Sequence, residues 1–492
     1  MGLLGKDHSR APLLEALQAF RARGDVPFAP PGHRQGRFVD PRVLAILGHG
    51  VFASDVLTLN ELDDRRQSQG VLTQAEELMA DAVGAEQAFF ATCGSSLSVK
   101  TTMMTVAGPG KKLLVSRNAH KSVVSGLILC GIEPVWVHPH FDDALHLAHP
   151  PEPEDVQRQL DQHPDATGML LITPTDWGTC ADIKGVAEVC HAAGVPLIVD
   201  EAWGAHFPFH DQLPTWGMQA GADLVVTSVH KMGGAVEQSS VYHLQGDRID
   251  PTELSQRQGL LDTTSPSTLV YASLDGWRRY MVEHGKQLYD DTLHRVRGLR
   301  DRLDALDGVD LLGDNALGPG KAYEQDPSKV VLDVRRLEIS GYQAAEWLRT
   351  NCHVDVGSAD TIRIEASFTP GDTDETALTF LRAIEGLIEQ ADTLDKSLPQ
   401  VQLPPSGALE LEQAMRPRDA FFGDTEQIPI EQAVGRIGAE LVSPYPPGVP
   451  VVAPGEIINQ EVIDYLRSGP PAGMVVPDAA DSEMKTLKVV AR

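Results

Sequence analysis

The feature that most constrains the fold is a series of short apolar runs, which alternate with helical patterns between about residues 75 and 250. Such runs are typical of strands that are buried on both faces. Strands that alternate with helices at this spacing form right-handed βαβ units. The pattern therefore predicts an α/β fold with a mostly parallel sheet, whose strands are expected at 88–91, 112–115, 134–137, 168–172, 196–199 and 223–226.

The sequence after residue 250 predicts further helices and strands that form smaller domains. One long amphipathic helix or two are expected at 273–306, followed by strands at 329–333 and 361–365 and helices at 341–350 and 374–390. Prolines between 396 and 405 indicate a linker, and a further helix is expected at 408–415. The predicted domains are an N-terminal arm at 1–40, a large domain at 41–275, a smaller α+β domain at 276–395, a linker at 396–405 and a C-terminal α+β domain at 406–492.

Charge and cysteine content exclude several classes of protein. The net charge of −28 argues against nucleic acid as a partner, because phosphates would be repelled. It is compatible with a cationic substrate, or simply with an acidic surface that keeps a protein in solution. The five cysteines are scattered and form no CxxC pair, which indicates reduced thiols and no metal site.

No targeting or membrane segment is expected. No apolar run reaches the roughly 18 residues that a spanning helix needs. Asp7, His8 and Arg10 stand where a signal peptide would need its apolar stretch. The sequence therefore predicts a cytoplasmic protein without a membrane partner.

Two of the predicted strands are followed by residues that could take part in catalysis or cofactor binding. Asp200 follows the strand at 196–199, where a buried carboxylate needs a cation such as a protonated pyridine nitrogen, or else caps a helix. Lys231 follows the strand at 223–226 and is expected to be a free amine in a closed site, or else a surface lysine. Gly233 and Gly234 favour the first interpretation, because they allow the backbone to pass close to a ligand.

Two further strand ends carry phosphate-binding and ring-stacking candidates. Ser95 and Ser96 follow Gly94 at a strand-to-helix junction, which suits a phosphate or an ordinary helix cap. His120 follows the strand at 112–115 and could stack on a flat cofactor or be structural. A phosphate cup, a histidine, an aspartate and a lysine in this order are what pyridoxal 5'-phosphate (PLP), bound as a Schiff base, requires.

Eight segments, spread over nearly the whole chain, carry recognisable motifs. They are 31–36 (PGHRQG), Asp55 with 61–64 (ELDD), 117–122 (RNAHKS), 199–207 (VDEAWGAHF), 228–231 (SVHK), 263–267 (TTSPS), 420–422 (AFF) and 445–456 (YPPGVPVVAPGE). In type and in order these motifs resemble those of the Orn/Lys/Arg decarboxylases among the fold-type I (aspartate-aminotransferase-like) PLP enzymes, especially the short members without an N-terminal wing domain.

The resemblance implies a role for each matching residue. Lys231 forms the Schiff base, Asp200 pairs with the pyridine nitrogen, and His120 stacks on the ring and acts as acid or base. The other expected cofactor contacts are Ser95, Ser96, Ser228 and His230 at the phosphate, Ala202 and Trp203 at the ring, and Thr264 and Ser265 from a neighbouring subunit. Glu456 is expected to bind the distal cation of the substrate, or alternatively to cap a helix near Ile457, and Trp177 is expected to line the substrate pocket.

The implied function is α-decarboxylation of arginine, lysine or ornithine by a homodimer or a larger assembly of dimers. Departures from the family pattern lie at 175–178 (TDWG), at Gly233 with Gly234, and at Gly357. They leave open a second outcome, in which a transaminase or an oxygen-using oxidase acts on a basic amino acid. An inactive relative that serves as a binding partner is a further alternative, which the joint presence of Lys231, Asp200 and His120 disfavours.

Overall fold

The computed structural model describes residues 6–57, 70–396, 401–405, 407–445 and 448–492. Three predicted features lie wholly or partly outside these residues. They are the motif at 61–64, Pro446 and Pro447 of the C-terminal motif, and residues 397–400 of the linker.

Most of the predicted helices are present. The helix predicted at 374–390 has those bounds, and the long pattern after residue 273 is a single helix of 37 residues. The described α-helices are α1 Pro12–Arg23, α2 Pro41–Leu47, α3 His49–Ser54, α4 Val71–Val83, α5 Ser95–Val106, α6 Lys121–Cys130, α7 Pro153–Gln162, α8 Ile183–Ala192, α9 Val229–Met232, α10 Pro251–Leu261, α11 Thr268–Asp304, α12 Gly341–Trp347, α13 Asp374–Gln390, α14 Pro417–Phe422 and α15 Gln460–Ser468.

The predicted strands are also present, with ends that differ by at most two residues. The described strands are β1 Gln87–Ala91, β2 Lys112–Ser116, β3 Glu133–Val137, β4 His140–Asp142, β5 Leu147–His149, β6 Ala166–Ile172, β7 Thr179–Cys180, β8 Leu197–Asp200, β9 Leu224–Ser228, β10 Ser240–Leu244, β11 Asp310–Leu311, β12 Glu324–Gln325, β13 Lys329–Asp333, β14 Ser358–Ala359, β15 Arg363–Ser367, β16 Thr425–Pro429 and β17 Thr486–Val490.

Seven strands form the large sheet, in the order β1-β10-β9-β8-β6-β2-β3. β2 pairs in parallel with β3 and β6, and β8 pairs in parallel with β9, whereas β10 is antiparallel to β1 and β9. The prediction of an α/β fold with a mostly parallel sheet is confirmed.

The chain divides into two compact units. One unit comprises Met1–Thr102 and Ile198–Leu288, and the other comprises Met103–Leu197 and Tyr289–Arg492. The second unit contains the small sheet β11-β13-β15-β14. It also holds two further apolar cores, one around α13 and β13 and one around α15 and β17. The five-part division expected from the sequence remains a prediction.

The helix expected at 408–415 is wrong. Residues 407–409 form a turn, Gly407 has a φ of +79°, and Gln413 makes an isolated bridge with Glu456. The backbone N–H of Ala414 donates to the carbonyl of Gly455 at 2.9 Å, so this segment bonds to another part of the chain. The helix in this region is α14, which starts at Pro417, where the fixed φ of proline suits the first helical turn.

The described residues were also assessed for membrane-spanning helices. None of their helices combines the length and the apolar character that crossing a bilayer requires.

Candidate active site

Two neighbouring strands of the first unit lead into residues that the sequence selected. β8 and β9 pair in parallel with Asp200 opposite Val226, so their carboxyl ends lie at the same edge of the sheet. Asp200 ends β8, is 5% exposed, and accepts a hydrogen bond on Oδ1 from the N–H of Ala202 at 3.3 Å. Lys231 follows β9 on the single turn α9. Both residues therefore lie at the edge where open parallel sheets bind ligands.

Lys231 lies against an aromatic ring. Its Nζ is 4.2 Å from the centroid of the Trp203 ring, a distance at which an ammonium group is attracted to an indole face. The structure thus brings together two residues that were predicted separately to contact the cofactor.

The glycine pair after α9 has a packing explanation. A Cβ atom on Gly233 would lie 2.5 Å from the carbonyl oxygen of Val229 and 2.9 Å from the ring of Trp277. The backbone therefore passes close to a side chain of α11. The protein's own packing accounts for this departure from the family pattern, so the glycine does not indicate a nearby ligand.

The predicted phosphate cup lies at the N-terminus of α5. Gly94 precedes the helix with a φ of +77°, a conformation that favours glycine. Ser95 begins the helix, and Ser228 Oγ donates a hydrogen bond to Ser95 Oγ at 2.5 Å. Two hydroxyls beside free backbone N–H groups at a helix N-terminus suit a phosphate.

The other residues predicted to contact the phosphate or a neighbouring subunit differ in their exposure and in their partners. His230 Nδ1 donates to the carbonyl of Ser239 at 3.2 Å, and burial lowers the pKa of this imidazole, so the ring is neutral near pH 7. Ser96, Thr264 and Ser265 are exposed.

The residues of the first unit fit PLP. They supply an amine for the aldehyde carbon, a buried carboxylate for the pyridine nitrogen, an aromatic neighbour and a hydroxyl-lined helix N-terminus for the phosphate. The donor set therefore matches the aldehyde, ring and phosphate of this cofactor.

His120 belongs to the second unit, where it is the N-cap of α6. Its Nδ1 accepts a hydrogen bond from the N–H of Ser122 at 3.2 Å and lies 2.9 Å from the Ser122 hydroxyl. Because Nδ1 accepts from the backbone, the neutral ring carries its proton on Nε2. Gly448 is close to this ring, since a Cβ atom there would lie 3.7 Å from His120 Cδ2.

Glu456 has a different partner from the one expected. Its carboxylate is fully buried and forms two hydrogen bonds of 2.9 Å with the guanidinium of Arg117, and the N–H of Ala453 donates to it at 2.8 Å. The charge of Glu456 is therefore already compensated within the chain, and this geometry gives no support to contact with a substrate cation. The capping alternative is wrong, because α15 begins at Gln460 and its cap is Asn459.

Trp177 is largely buried in the second unit. It is 7% exposed, and the guanidinium of Arg363 lies 5.1 Å from its ring centroid. It packs in an apolar cluster with Leu147, Leu312, Ala316 and Val331.

A buried ion pair that the sequence analysis missed supports the turn before Trp177. Lys329 Nζ lies 3.1 Å from Glu365 Oε1 and donates to the carbonyl of Asp176 at 2.9 Å and to Ser367 Oγ at 3.2 Å. Both charged side chains are fully buried. Lys329 begins its strand, a position that in sequence resembles an exposed strand end, so no local signal marks this pair.

The departure at Gly357 is explained by the same pair. A Cβ atom on Gly357 would lie 2.3 Å from Glu365 Oε2. The carboxylate of Glu365 therefore occupies the space that a side chain at position 357 needs.

A cavity of about 250 Å³ lies within the second unit. Its walls combine the ends of β2 and β6 with α12, the turn at 360–361, the chain at 403–410, the segment at 444–451 and α15. The polar side chains that line it are Arg117, Asn118, His138, His146, Thr175, Asp176, Asp360, Thr361 and Glu410, and the aromatic ones are Phe141, Trp177, Tyr342 and Tyr465.

One group of side chains among the described residues has the geometry of a metal site. The ligand atoms of His140, Glu152 and Asp155 lie within 4.8 Å of one another. However, His140 Nε2 is 2.6 Å from Asp155, Glu152 accepts from the N–H of Gly320, and both carboxylates cap α7. These bonds account for the group as a structural one.

The fold has counterparts among solved structures. The structure of the Escherichia coli constitutive lysine decarboxylase matches with a TM-score of 0.80 at 22% identity, over 99% of this chain and 82% of that chain. Ureidoglycine-glyoxylate aminotransferase from Bacillus subtilis matches with a TM-score of 0.55 at 14% identity, over 72% and 91%. The fold of this chain is therefore that of the fold-type I PLP enzymes.

The sequence comparisons narrow this class. Residues 11–319 match the family described as Orn/Lys/Arg decarboxylase, major domain, and residues 405–477 match its C-terminal domain. The chain is 38% identical to the arginine decarboxylase of Bacillus subtilis (strain 168) over 97% of both chains. It is 37% identical to that of Halalkalibacterium halodurans over 98% of both. The chain belongs to the Orn/Lys/Arg decarboxylase family and is a PLP-dependent amino-acid decarboxylase.

Proposed function

We propose that this protein decarboxylates L-arginine to agmatine and CO₂. Support for arginine comes from relatives named arginine decarboxylase at 37–38% identity. By comparison, the constitutive lysine decarboxylase of Escherichia coli (strain K12) is 25% identical over 94% of this chain and 77% of that protein. The observation that carries the reaction type is the position of Lys231 Nζ over Trp203, at the same sheet edge as buried Asp200.

Each residue of the first unit has a task in this proposal. PLP, when bound, supplies the electron sink that allows the Cα–carboxylate bond to break. Lys231 would hold the cofactor covalently through its side-chain amine. The Asp200 carboxylate would keep the pyridine nitrogen protonated, and Ser95 and Ser228 would hold the phosphate.

His120 serves as the ring-stacking and proton-carrying residue. Its Nδ1 is held by Ser122, so the mobile proton is on Nε2. Either His120 or Lys231 returns a proton to Cα after CO₂ has left. The fixed orientation of the imidazole favours a single site for this transfer.

The proposal includes a homodimer. Phe28, Phe38 and Ile46 are 81–86% exposed, and no residue of α2 is buried. Exposed large apolar side chains that cluster in one segment are typical of an interaction surface, and a second copy of this chain is the partner we propose. Thr264 and Ser265, which are exposed here, would then approach the cofactor of the neighbouring subunit.

We also place the reaction in the cytoplasm, as a step of polyamine metabolism. All five cysteines are described and none forms a disulfide, as is usual in a reducing compartment.

The test is incubation of the PLP-loaded protein with arginine, lysine and ornithine in parallel, with CO₂, amine, ammonia and peroxide all measured. The proposal predicts equal amounts of CO₂ and agmatine from arginine, with a higher kcat/KM than for lysine or ornithine. Peroxide with a keto or aldehyde product, or transfer of the amino group without CO₂, would instead establish the oxidase or transaminase alternative.

A further inference from the structure

The cavity of the second unit lies at a sheet edge that suits ligand binding. Asn118 follows β2, and Ile172 ends β6, which is parallel to β2. The carboxyl ends of parallel strands are where open α/β sheets bind their ligands. His120, the predicted ring-stacking residue, is two positions after Asn118 in the sequence. The segment 448–451 joins the two places, because Gly448 lies against His120 and the next three residues line the cavity.

The charges around the cavity favour a cation. Asp176, Asp360 and Glu410 contribute three carboxylates to its lining, and Asp360 is paired with Arg363 at 2.9 Å. Among the described residues that line the cavity, the only lysine or arginine is Arg117, whose charge is paired with Glu456. Asp176 and Glu410 therefore remain as the carboxylates that favour a cation.

The two histidines of the lining add no positive charge near pH 7. Burial lowers the pKa of His138 and of His146 to about 4, and the nearby guanidinium groups of Arg117 and Arg363 act in the same direction. Burial also raises the pKa of Tyr342 and of Tyr465 above the usual phenol value, so both hydroxyls stay neutral.

Asn118 provides an independent sign of a missing ligand. Its side chain is 9% exposed, and neither the amide nitrogen nor the amide oxygen has a hydrogen-bond partner within the described part of the chain. A buried amide without partners is destabilising, so buried amide groups usually have a hydrogen-bond partner. The amide oxygen of Asn118 can accept from an N–H donor of a ligand.

We propose that this cavity receives the guanidinium end of the substrate, and that Asn118 and Asp176 recognise it. The inference rests on the proposed function and deepens it, because it names the residues that select a guanidinium. A flat group with five N–H donors suits an amide oxygen, a carboxylate and aromatic walls better than a compact ammonium does. Asp176 stands in the turn at 175–178, where Lys329 Nζ donates to its backbone carbonyl at 2.9 Å.

The test compares Asn118→Leu with Asn351→Leu, a control at an exposed position on another segment. We measure kcat/KM for arginine and the inhibition constants of agmatine and hexylamine, which lacks a guanidinium. Because Asn118→Leu removes a hydrogen bond to a charged group, the inhibition constant of agmatine should rise by roughly tenfold to a hundredfold. Hexylamine inhibition and the control variant should remain unchanged.

A second variant covers the case in which Asn118→Leu fails to fold. Asp176→Asn keeps the shape of the side chain and should reduce agmatine binding more than hexylamine binding. Folding is checked by circular dichroism and melting temperature. If both folded variants bind agmatine as tightly as the unsubstituted protein, the inference is overturned.

The two proposals fail in different ways. If the unsubstituted protein releases no CO₂ from arginine, the proposed function is wrong. If it does so and the Asn118 and Asp176 variants keep their preference for agmatine over hexylamine, only the cavity assignment is wrong. Agmatine binding to borohydride-reduced protein, followed by calorimetry, gives the same comparison without turnover.

Discussion

Lys329 and Glu365 form a fully buried ion pair that holds the turn carrying Trp177 in place. The Nζ–Oε1 distance is 3.1 Å, and the same Nζ donates to the carbonyl of Asp176 at 2.9 Å. One lysine therefore connects the small sheet to the turn that carries Trp177.

Removal of one member of this pair should be strongly destabilising. Lys329→Met leaves the Glu365 charge buried without its partner, at a cost of about 3–5 kcal/mol. We expect a lower urea midpoint and, at temperatures where the protein remains folded, a higher KM for arginine because the Asp176 turn is released. The double variant Lys329→Met with Glu365→Leu should recover much of the stability but not the KM. An unchanged midpoint in Lys329→Met would show that the pair is not formed.

A methyl group at position 357 should also destabilise the small sheet. In Gly357→Ala, the new Cβ would lie 2.3 Å from Glu365 Oε2, so the carboxylate must move away from Lys329. Gly259→Ala on α10 is the matched control, because a Cβ atom there meets nothing within 4 Å. Helix propensity makes that control neutral or slightly stabilising. Equal melting temperatures for the two variants would remove the steric explanation of Gly357.

Glu456 should affect stability and leave substrate choice intact. Glu456→Ala leaves Arg117 buried and without its carboxylate, so we expect a loss of about 3–5 kcal/mol in unfolding free energy. The ratio of kcat/KM for arginine to that for lysine should stay as in the unsubstituted protein. A large change in this ratio without loss of stability would instead show that Glu456 binds the distal cation of the substrate.

His146 should contribute to loss of stability in acid. Burial and the neighbouring Arg363 and Arg335 lower its pKa from 6.5 to about 4, against a smaller opposing effect of Asp143. Between these pH values the imidazole of His146 binds a proton in the unfolded chain but not in the folded chain. The contribution of His146 to the free energy of unfolding is therefore fully present above pH 6.5 and is lost as the pH falls toward 4. His146→Asn removes the titrating ring and tolerates the φ of +49°. As the pH is lowered from 6.5 to 4, the urea midpoint of this variant should fall less steeply than that of the unsubstituted protein. Equal slopes would show that His146 does not contribute to the loss of stability in acid.

The sequence predicted the strands of the large sheet well because their signals are local. Apolar runs mark each buried strand, and ligand-binding residues of a parallel sheet follow the strands directly, so Asp200 and Lys231 could be placed at one edge without knowledge of the structure. The resemblance to a family added the identity of the cofactor. The helix predicted at 374–390 has the same bounds in the structure.

The remaining features depend on contacts between distant segments. Lys329 and Glu365 meet because β13 and β15 pair with Val331 opposite Glu365, a register that no local pattern specifies. Arg117 and Glu456 are 339 positions apart. The segment at 408–415 has helical spacing, but its backbone bonds to Gly455 instead.

The most direct test of the account is the covalent attachment of the cofactor. The purified protein, loaded with PLP, is reduced with borohydride, digested and analysed by mass spectrometry, in parallel with Lys231→Ala. We predict the reduced pyridoxyl group on Lys231 alone, and loss of both this modification and CO₂ release from arginine in the variant. A pyridoxyl group on another lysine of a Lys231→Ala protein that still releases CO₂ would contradict the central claim.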